Sequence, residues 1–384
     1  MDHKILPSHL IFLCLHGSRA YGTSMPQSDY DIRGVAIAPL TDYFGIHPWG
    51  QISGGSPYLE DLLSNHSLEY KESLKSESIE PLDSVVFNLV KFIRLAADSN
   101  PNILDILFAH RDDWIFSHPI WERLYEKRHN FLSMKVRHTY TGYAMSQLKR
   151  IKMHRKWLLE PFKDKPTRKE YHLPENHSLV PKDIEDLAES FIRKKQEEWQ
   201  LDTLMEYLPE DQRDDVRLQL LGYFEMVHGR PYQSNEWHER EQAALQAGIS
   251  EELYIRLDAE RRYKQALNQW KSYQRWLKER NKKRAALEKE FGYDSKHASH
   301  LVRLLLSAQE ILTEGTLSVR HPHAELLRKV RAGAWSYDEL IDWASNQEKI
   351  INELASKKPL RHSVDGHFID QFAKELVLEF YGKN

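Results

Sequence analysis

Two apolar segments near the start of the chain have the character of neighbouring strands. Residues 9–15 are nearly all apolar, and the run ends at Gly17 and Ser18, where the backbone can turn tightly. Residues 30–38 contain further apolar positions and are followed by Pro39. We therefore predict a first strand over 9–15, buried on both faces, and a second strand over 30–38.

The following segments change in character twice. Residues 40–80 are rich in glycine, proline and serine, which predicts an irregular segment with one short strand near 68–72. After Asp83, apolar residues recur every three or four positions over 86–97, as in an amphipathic helix. We expect a second, shorter helix over 103–109.

Beyond about residue 115 the pattern is helical, and no strand pattern of any length follows. The fold class expected is therefore α+β. A small α/β unit over residues 1–115 precedes a large, mostly helical domain over 116–384.

Composition narrows the classes of protein further. The chain has 384 residues, 41% of them hydrophobic, and a single cysteine, Cys14, which lies inside the first predicted strand. A lone cysteine in an apolar strand is expected to be buried rather than to act as a nucleophile. No apolar run is long enough to span a membrane, so we expect a soluble, cytoplasmic protein that does not bind membranes.

The net charge of −3 conceals an uneven distribution. Residues 183–215 contain twelve acidic and four basic residues, whereas residues 261–284 contain ten basic residues and one acidic residue. Residues 149–172 form a second basic stretch. Such unevenness bears on binding partners more than the net charge does.

Two aspartates separated by one residue carry the candidate chemistry. In a strand, Asp29 and Asp31 point to the same face, and like charges held so close are unfavourable unless a cation lies between them. Two carboxylates and a third acid suit Mg²⁺ bound together with substrate phosphates. Upstream, Gly17 allows close approach of the backbone to a phosphate, and Ser18 can donate hydrogen bonds to it. This combination indicates nucleoside triphosphate chemistry.

The order of these features resembles a known signature. Residues 15–18 (LHGS) followed by 28–31 (SDYD) are similar to the motif of the DNA polymerase beta nucleotidyltransferase superfamily, with His16 a small departure from it. Further segments resemble one branch, called YcgL-like or RlaP and associated with RNA repair. They are residues 19–23, 28–34, 91–96, 100–102 and 291–298. The resemblance covers about 10–145 and 288–345, and leaves 146–287 as a basic and acidic helical region specific to this protein.

The resemblance implies a small mixed-sheet, polymerase beta-like core and three metal-binding carboxylates. Asp29, Asp31 and Asp83 would act as the catalytic residues and bind two Mg²⁺ ions, or Mn²⁺ in their place. Asp83 also stands where a helix N-cap belongs, so a capping role is the alternative. The remaining candidates for the third carboxylate are Glu80, Glu72 and Glu69.

The resemblance implies nucleotide contacts from two parts of the chain, one near its start and one in a later helix. Gly17, Ser18 and Arg19 would bind phosphates, together with a later amphipathic helix over 296–310. That helix has Leu301, Leu304, Leu305 and Ala308 on its apolar face, and Lys296, His300, Arg303 and Ser307 on another. The family often reaches the triphosphate with a lysine, which favours Lys296, although the side chain could simply be solvated. Spacing alone makes the pair His297 and His300 weak evidence for a metal site. The pair His321 and His323 is expected in a loop.

A basic stripe edged by aromatic residues indicates nucleic-acid binding. The helix over 261–284 places five basic residues on one side, near Trp270, Tyr273 and Trp276. They are Lys264, Lys271, Arg275, Lys278 and Lys282. The alternative is that the stripe pairs with the acidic 183–215 segment within the chain.

The function expected is transfer of NMP from an NTP to an RNA 3′ end, with release of pyrophosphate. Transfer to a protein or to a small-molecule hydroxyl remains open. So does a catalytically silent module that binds nucleotide or RNA. The oligomeric state is not indicated by the sequence.

Overall fold

The computed structural model describes residues 5–25, 28–44, 49–73, 82–198, 236–280, 282–357 and 360–382. The chain forms two compact units. The first unit comprises residues 1–159 and 281–384, and the second comprises residues 160–280.

A five-stranded mixed sheet lies in the first unit. Its strands are β1 Leu10–His16, β2 Asp31–Ala36, β3 Gln51–Ser53, β4 Asp83–Asn88 and β5 Trp114–Ser117. The order across the sheet is β3-β4-β2-β1-β5. β2 pairs in parallel with β4, whereas β1 pairs antiparallel with both β2 and β5, and β3 pairs antiparallel with β4. The mixed sheet followed by many helices confirms the expected α+β class with a polymerase beta-like core.

Helices make up most of the rest. Those before residue 160 are α1 Leu6–His9, α2 Gly17–Ala20, α3 Leu40–Tyr43, α4 Pro57–His66, α5 Leu68–Ser73, α6 Leu89–Ala97, α7 Pro101–Leu107, α8 Pro119–Glu126 and α9 Lys135–Leu159. The second unit contains α10 Lys182–Glu198, α11 Glu236–Gln246 and α12 Glu251–Glu279. The first unit resumes with α13 Lys282–Phe291, α14 Ser295–Glu314, α15 Ala324–Arg331, α16 Tyr337–Ser356 and α17 Gly366–Phe380. Among the described residues, the search for a helix with the length and apolarity of a membrane span found none.

Both faces of the sheet are covered by apolar side chains. On one face Phe12 stacks on Trp121 of α8, with ring centroids 3.8 Å apart, within the cluster that also includes residues of α6, α9 and α14. On the other face Leu13 packs in a cluster with Leu59 and Leu63 of α4. Because successive residues of β1 face opposite sides, this double burial explains the continuous apolar run. Cys14 is buried in β1, as predicted.

The segment after β2 departs from the sequence-based prediction. It contains α3, β3, α4 and α5, and residues 68–72 form part of helix α5 rather than a strand. Helix α4 has strong local signals, since the Ser56 side chain accepts a hydrogen bond from the Leu59 amide and Pro57 occupies the first position. The many glycine and serine residues of this segment led to the prediction of an irregular structure in place of these elements.

Two further strands were not predicted. β4 covers the start of the segment whose spacing predicted a helix, and the helix itself begins only at Leu89, after Asn88 caps it through the Val90 amide. β5, with four half-buried residues, is an edge strand too short to give a periodic signal.

The second unit has its own small core. Ile192 of α10 packs with Ala243 of α11 and Leu257 of α12. Arg168 forms hydrogen bonds of 3.0 and 2.6 Å to the buried Glu260 carboxylate, which also accepts from the Leu179 amide. These bonds satisfy a charge that would otherwise be costly to bury.

Candidate active site

Gly17 and Asp31 meet at the end of the central strand pair. In the antiparallel register, His16 lies opposite Asp31, and α2 begins at the next residue. Gly17 has φ +62°, and a Cβ built there would lie 2.1 Å from Oδ2 of Asp31. Only glycine therefore fits beside this carboxylate in the observed arrangement.

Asp31 and Asp83 begin neighbouring parallel strands and are direct partners in the register. The pKa of Asp31 is raised to about 6, first by burial and also by the negative charge of Asp83, against a lowering effect of Arg33. Asp83 is the first residue of β4, and Asn88 caps the helix that follows. The capping role considered for Asp83 is therefore wrong.

Arg33 neutralises part of this acidic pair. Its Nη1 and Nη2 lie 3.4 and 3.2 Å from the two carboxylate oxygens of Asp83, and the Asp83 side chain is 59% exposed. An ion bound by Asp83 would compete with this guanidinium or share the carboxylate with it. Arg33 thus sets part of the electrostatic balance of the site.

Asp29 lies two residues before β2 rather than inside it, so the predicted strand begins later than expected. It is exposed in a loop that Arg19 braces. The Arg19 guanidinium lies 3.5 Å from the Tyr30 ring centroid and donates a 3.0 Å hydrogen bond to the Ser28 carbonyl. It also pairs with Glu69 at 3.3 Å. These contacts hold the residues on either side of Asp29. The expectation that Asp29 and Asp31 share one face of a strand is wrong, because Asp29 lies outside β2.

The other acids considered for the third position are less well placed. Glu69 pairs with Arg19, and Glu72 is exposed on α5. Glu80 lies outside the described residues. Register with Asp31 therefore favours Asp83.

Helix α14 carries Lys296 and His300, two of the predicted nucleotide contacts, and Lys296 acts electrostatically on the carboxylate site. Lys296 is exposed, and its positive charge is among the groups that lower the pKa of Asp31. His300 has its pKa lowered to about 3, first by burial and then by the charge of Arg303. His300 is consequently a neutral imidazole near pH 7, suited to hydrogen bonding rather than charge pairing.

Arg303 is buried in a network instead of facing outward with Lys296. Its Nη1 lies 3.2 and 3.0 Å from the two carboxylate oxygens of Asp105, to which Tyr21 donates a 2.8 Å hydrogen bond. The guanidinium also stacks over the Tyr21 ring at 4.0 Å. Ser307, placed with Arg303 on the polar face by the sequence, is buried too. Arg303 thus connects α14 and α7 to the turn after Gly17 and Ser18.

Two more residues hold the same turn: Arg328, which the sequence did not single out, and His321, for which the sequence predicted only a position in a loop. Arg328 donates a 2.8 Å hydrogen bond to the Gly22 carbonyl, and the His321 amide donates to the Tyr21 carbonyl at 3.3 Å. The partners are about three hundred residues apart, so no local motif signals these contacts. His321 and His323 lie in a loop, as predicted.

The cluster of aspartates suits a hard divalent cation. Asp31 and Asp83 supply adjacent oxygen ligands, Asp29 is two residues away in sequence, and the missing Cβ of Gly17 makes room for the Asp31 carboxylate. Mg²⁺ takes oxygen ligands and usually retains waters or substrate phosphates. The arrangement can therefore bind metal together with a triphosphate on the Gly17 and Ser18 side.

The basic helix of the second unit is α12. The basic residues of its predicted stripe differ in their contacts. Lys264 contacts Glu185 of the acidic segment, as the intrachain alternative predicts. Lys271, Arg275 and Lys278 are exposed, and no ion pair is recorded for them among the described residues. The Lys282 side chain and residues 199–215 of the acidic segment lie outside the described part. Tyr273 is buried, while Trp270 and Trp276 are half-buried.

Comparison with known proteins gives a family. A family model described as "RlaP: RNA repair pathway DNA polymerase beta family" matches residues 3–220, which include Gly17, Asp29, Asp31 and Asp83. The "Uncharacterized 38.9 kDa protein in nrdC-mobD intergenic region" of Enterobacteria phage T4 is 23% identical, over 94% of this chain and 95% of that protein. No solved structure matches the chain significantly. The chain therefore belongs to the RlaP family, the RNA repair pathway branch of the polymerase beta-like nucleotidyltransferases.

Proposed function

We propose that the protein transfers a nucleoside monophosphate from an NTP to the 3′ hydroxyl of an RNA and releases pyrophosphate. The observation that carries this proposal is the convergence of Asp31, Asp83 and Gly17 at the ends of β1, β2 and β4. Family membership supports the reaction class.

In this reaction the RNA 3′ oxygen attacks the α-phosphorus, the bond to the β-phosphate oxygen breaks, and pyrophosphate leaves. Asp29, Asp31 and Asp83 would hold two Mg²⁺ ions. These ions would supply activation of the hydroxyl and neutralisation of the leaving group. Asp83, beside the nucleophile, would accept the hydroxyl proton.

The phosphates would be held from two directions. Gly17 allows the backbone to approach the outer phosphates, and Ser18 offers both an amide and a hydroxyl donor. Lys296 would add a cationic contact from α14, since its charge already acts on Asp31. The Arg303 network would keep the turn after Ser18 in place without touching the nucleotide.

RNA is the acceptor that the charge distribution favours. Lys271, Arg275 and Lys278 recur at intervals of four and three along α12, so they share one exposed face of the helix. A basic face of this kind suits a phosphate backbone. A small-molecule acceptor would not require it.

The acceptor can be identified with α-labelled NTPs, each supplied separately with Mg²⁺. One RNA should carry a 3′ hydroxyl and a matched RNA a 3′ deoxy end. We expect label on the first RNA only. Label on the protein, or on a small molecule with pyrophosphate release, would replace RNA by that acceptor. A rise in melting temperature with Mg²⁺ and NTP but without pyrophosphate would indicate a silent binding module.

A further inference from the structure

Three side chains that can bind a metal converge outside the carboxylate site. His154 lies on α9, Asp294 is the N-cap of α14, and His297 is in the first turn of α14. One potential ligand atom from each lies within 4.8 Å of the other two. His297 thus lies close to Asp294 and to His154, a histidine far away in the sequence. The spacing of His297 and His300 could not predict this grouping.

The separations within this group suit ligands around one ion. Asp294 Oδ2 lies 3.5 Å from His297 Nε2. This distance exceeds an ordinary hydrogen bond of about 2.7–3.2 Å. Ligands bonded tetrahedrally to zinc at about 2.0–2.1 Å are separated by roughly 3.3 Å.

Burial adds an electrostatic reason for a cation. The Asp294 side chain is 4% exposed and the Glu288 side chain 2% exposed, while the two histidines are 14% and 18% exposed. Buried carboxylates are stabilised by positive charge and by hydrogen-bond donors. A divalent cation between the side chains would add positive charge to the two amide hydrogen bonds that Asp294 already accepts.

The ligands are already held in orientation. Asp294 Oδ1 accepts hydrogen bonds from the amides of Lys296 and His297, at 3.0 and 3.1 Å, which turns Oδ2 toward the His297 ring. The His154 ring stacks on Trp157, with centroids 5.5 Å apart and planes inclined by 23°. Fixed ligands of this kind lower the cost of assembling a metal site.

We propose that His154, Asp294 and His297 bind one Zn²⁺ ion, with water in the fourth position. Glu288 borders Nδ1 of His154, where a carboxylate orients a metal-bound imidazole. Two imidazoles and a carboxylate favour zinc over Mg²⁺, which prefers oxygen ligands. The ion would join α9 to the start of α14, beside Lys296, and its binding does not depend on the proposed transfer reaction.

The test measures zinc in the full-length protein after mild chelation and reloading. Elemental analysis and cobalt substitution should be performed in an Asp31→Asn background, which removes metal binding at the carboxylate site. We expect about one equivalent of tightly bound zinc and a cobalt spectrum of a four-coordinate nitrogen and oxygen site. His154→Ala and His297→Ala should weaken zinc binding by more than about 100-fold, since loss of even an orienting partner costs about 10–100-fold.

Two further variants separate metal binding from folding. Asp294→Asn retains an N-cap for α14 but removes a charged ligand, so it should keep the helix and weaken zinc binding. His138→Ala changes an exposed histidine of the same helix α9 and should leave zinc binding unchanged. Absence of tight zinc in the Asp31→Asn protein would overturn the proposal, as would undiminished zinc in folded His154→Ala, His297→Ala and Asp294→Asn proteins.

Discussion

Gly17 lies directly against the carboxylate of Asp31, so closely that a Cβ at residue 17 would stand 2.1 Å from Oδ2. The contact joins the turn proposed to bind phosphate to the aspartate proposed as the principal metal ligand. Because the residue also has φ +62°, a substitution there meets both a steric and a conformational obstacle.

Gly17→Ala should therefore lower both stability and activity. The left-handed conformation costs an alanine roughly 1–2 kcal/mol. Displacement of Asp31 by about 1 Å should lower the transfer rate on the order of 100-fold. Gly142→Ala is the matched control, since residue 142 lies in α9 and a Cβ there meets nothing within 4 Å. Urea unfolding and pyrophosphate release measure the two effects, and wild-type values for Gly17→Ala would contradict the contact.

Mg²⁺ should stabilise the protein in a pH-dependent way. The pKa of Asp31 is raised to about 6 in the folded state, so the cost of ionising it is present above that pH and disappears as the pH falls toward its ordinary value of 3.8. Metal binding needs the ionised form. The rise in melting temperature caused by Mg²⁺ should thus be large at about pH 7.5 and small at about pH 5. Equal shifts at the two pH values would exclude Asp31 as a ligand.

The buried network of Tyr21, Asp105 and Arg303 should contribute measurably to stability. Tyr21→Phe removes the hydroxyl that donates to the Asp105 carboxylate, a bond to a charged group worth about 1.5–3 kcal/mol. Tyr143→Phe, at a tyrosine 36% exposed, should change the free energy of unfolding much less. Urea unfolding of both variants provides the measurement, and equal effects would remove the special role of the network.

RNA binding should depend on the exposed face of α12. Replacing Lys271, Arg275 and Lys278 by alanine should lower the salt dependence of RNA affinity by about 0.7 per lost phosphate contact, or about 2 in the logarithmic slope. Lys264→Ala is the control, since Lys264 already contacts Glu185. Titrations with single-stranded RNA at several salt concentrations measure the slope. An unchanged slope in the triple variant would place the RNA elsewhere or exclude it.

The sequence predicted those parts of the fold that rest on local pattern. The apolar run of β1 was predicted, and the spacing of the two motifs selected Gly17, Ser18, Asp29 and Asp31 as candidates. The structure brings Gly17 and Asp31 into contact and places Asp29 in the loop before β2. The pattern could not show that Asp83 begins a strand, because β4 is defined by its pairing with β2, which lies much earlier in the chain. The apolar residues of β4 are followed directly by those of α6, so their combined spacing predicted one helix over both segments.

The hydrophobic pattern of the sequence also could not predict contacts between segments far apart in the chain. Arg303 and Asp105 are separated by 198 residues, and a helical projection alone placed Arg303 on a polar face. Its burial follows from the packing of α14 against α9 and from the ion pair with Asp105 of α7, not from the composition of α14. The meeting of His297 with His154 has the same origin.

We propose above all that Asp31 and Asp83 form one metal and triphosphate site with Gly17. Pyrophosphate release from NTP and a 3′-hydroxyl RNA, compared among wild type, Asp31→Asn, Asp83→Asn and Asp61→Asn, tests it most directly. Asp61 is exposed on α4 and serves as the matched control. We expect wild type and Asp61→Asn to release pyrophosphate at similar rates, and the other two variants to be slower by on the order of 100-fold or more. Undiminished release by either Asp31→Asn or Asp83→Asn would contradict the assignment.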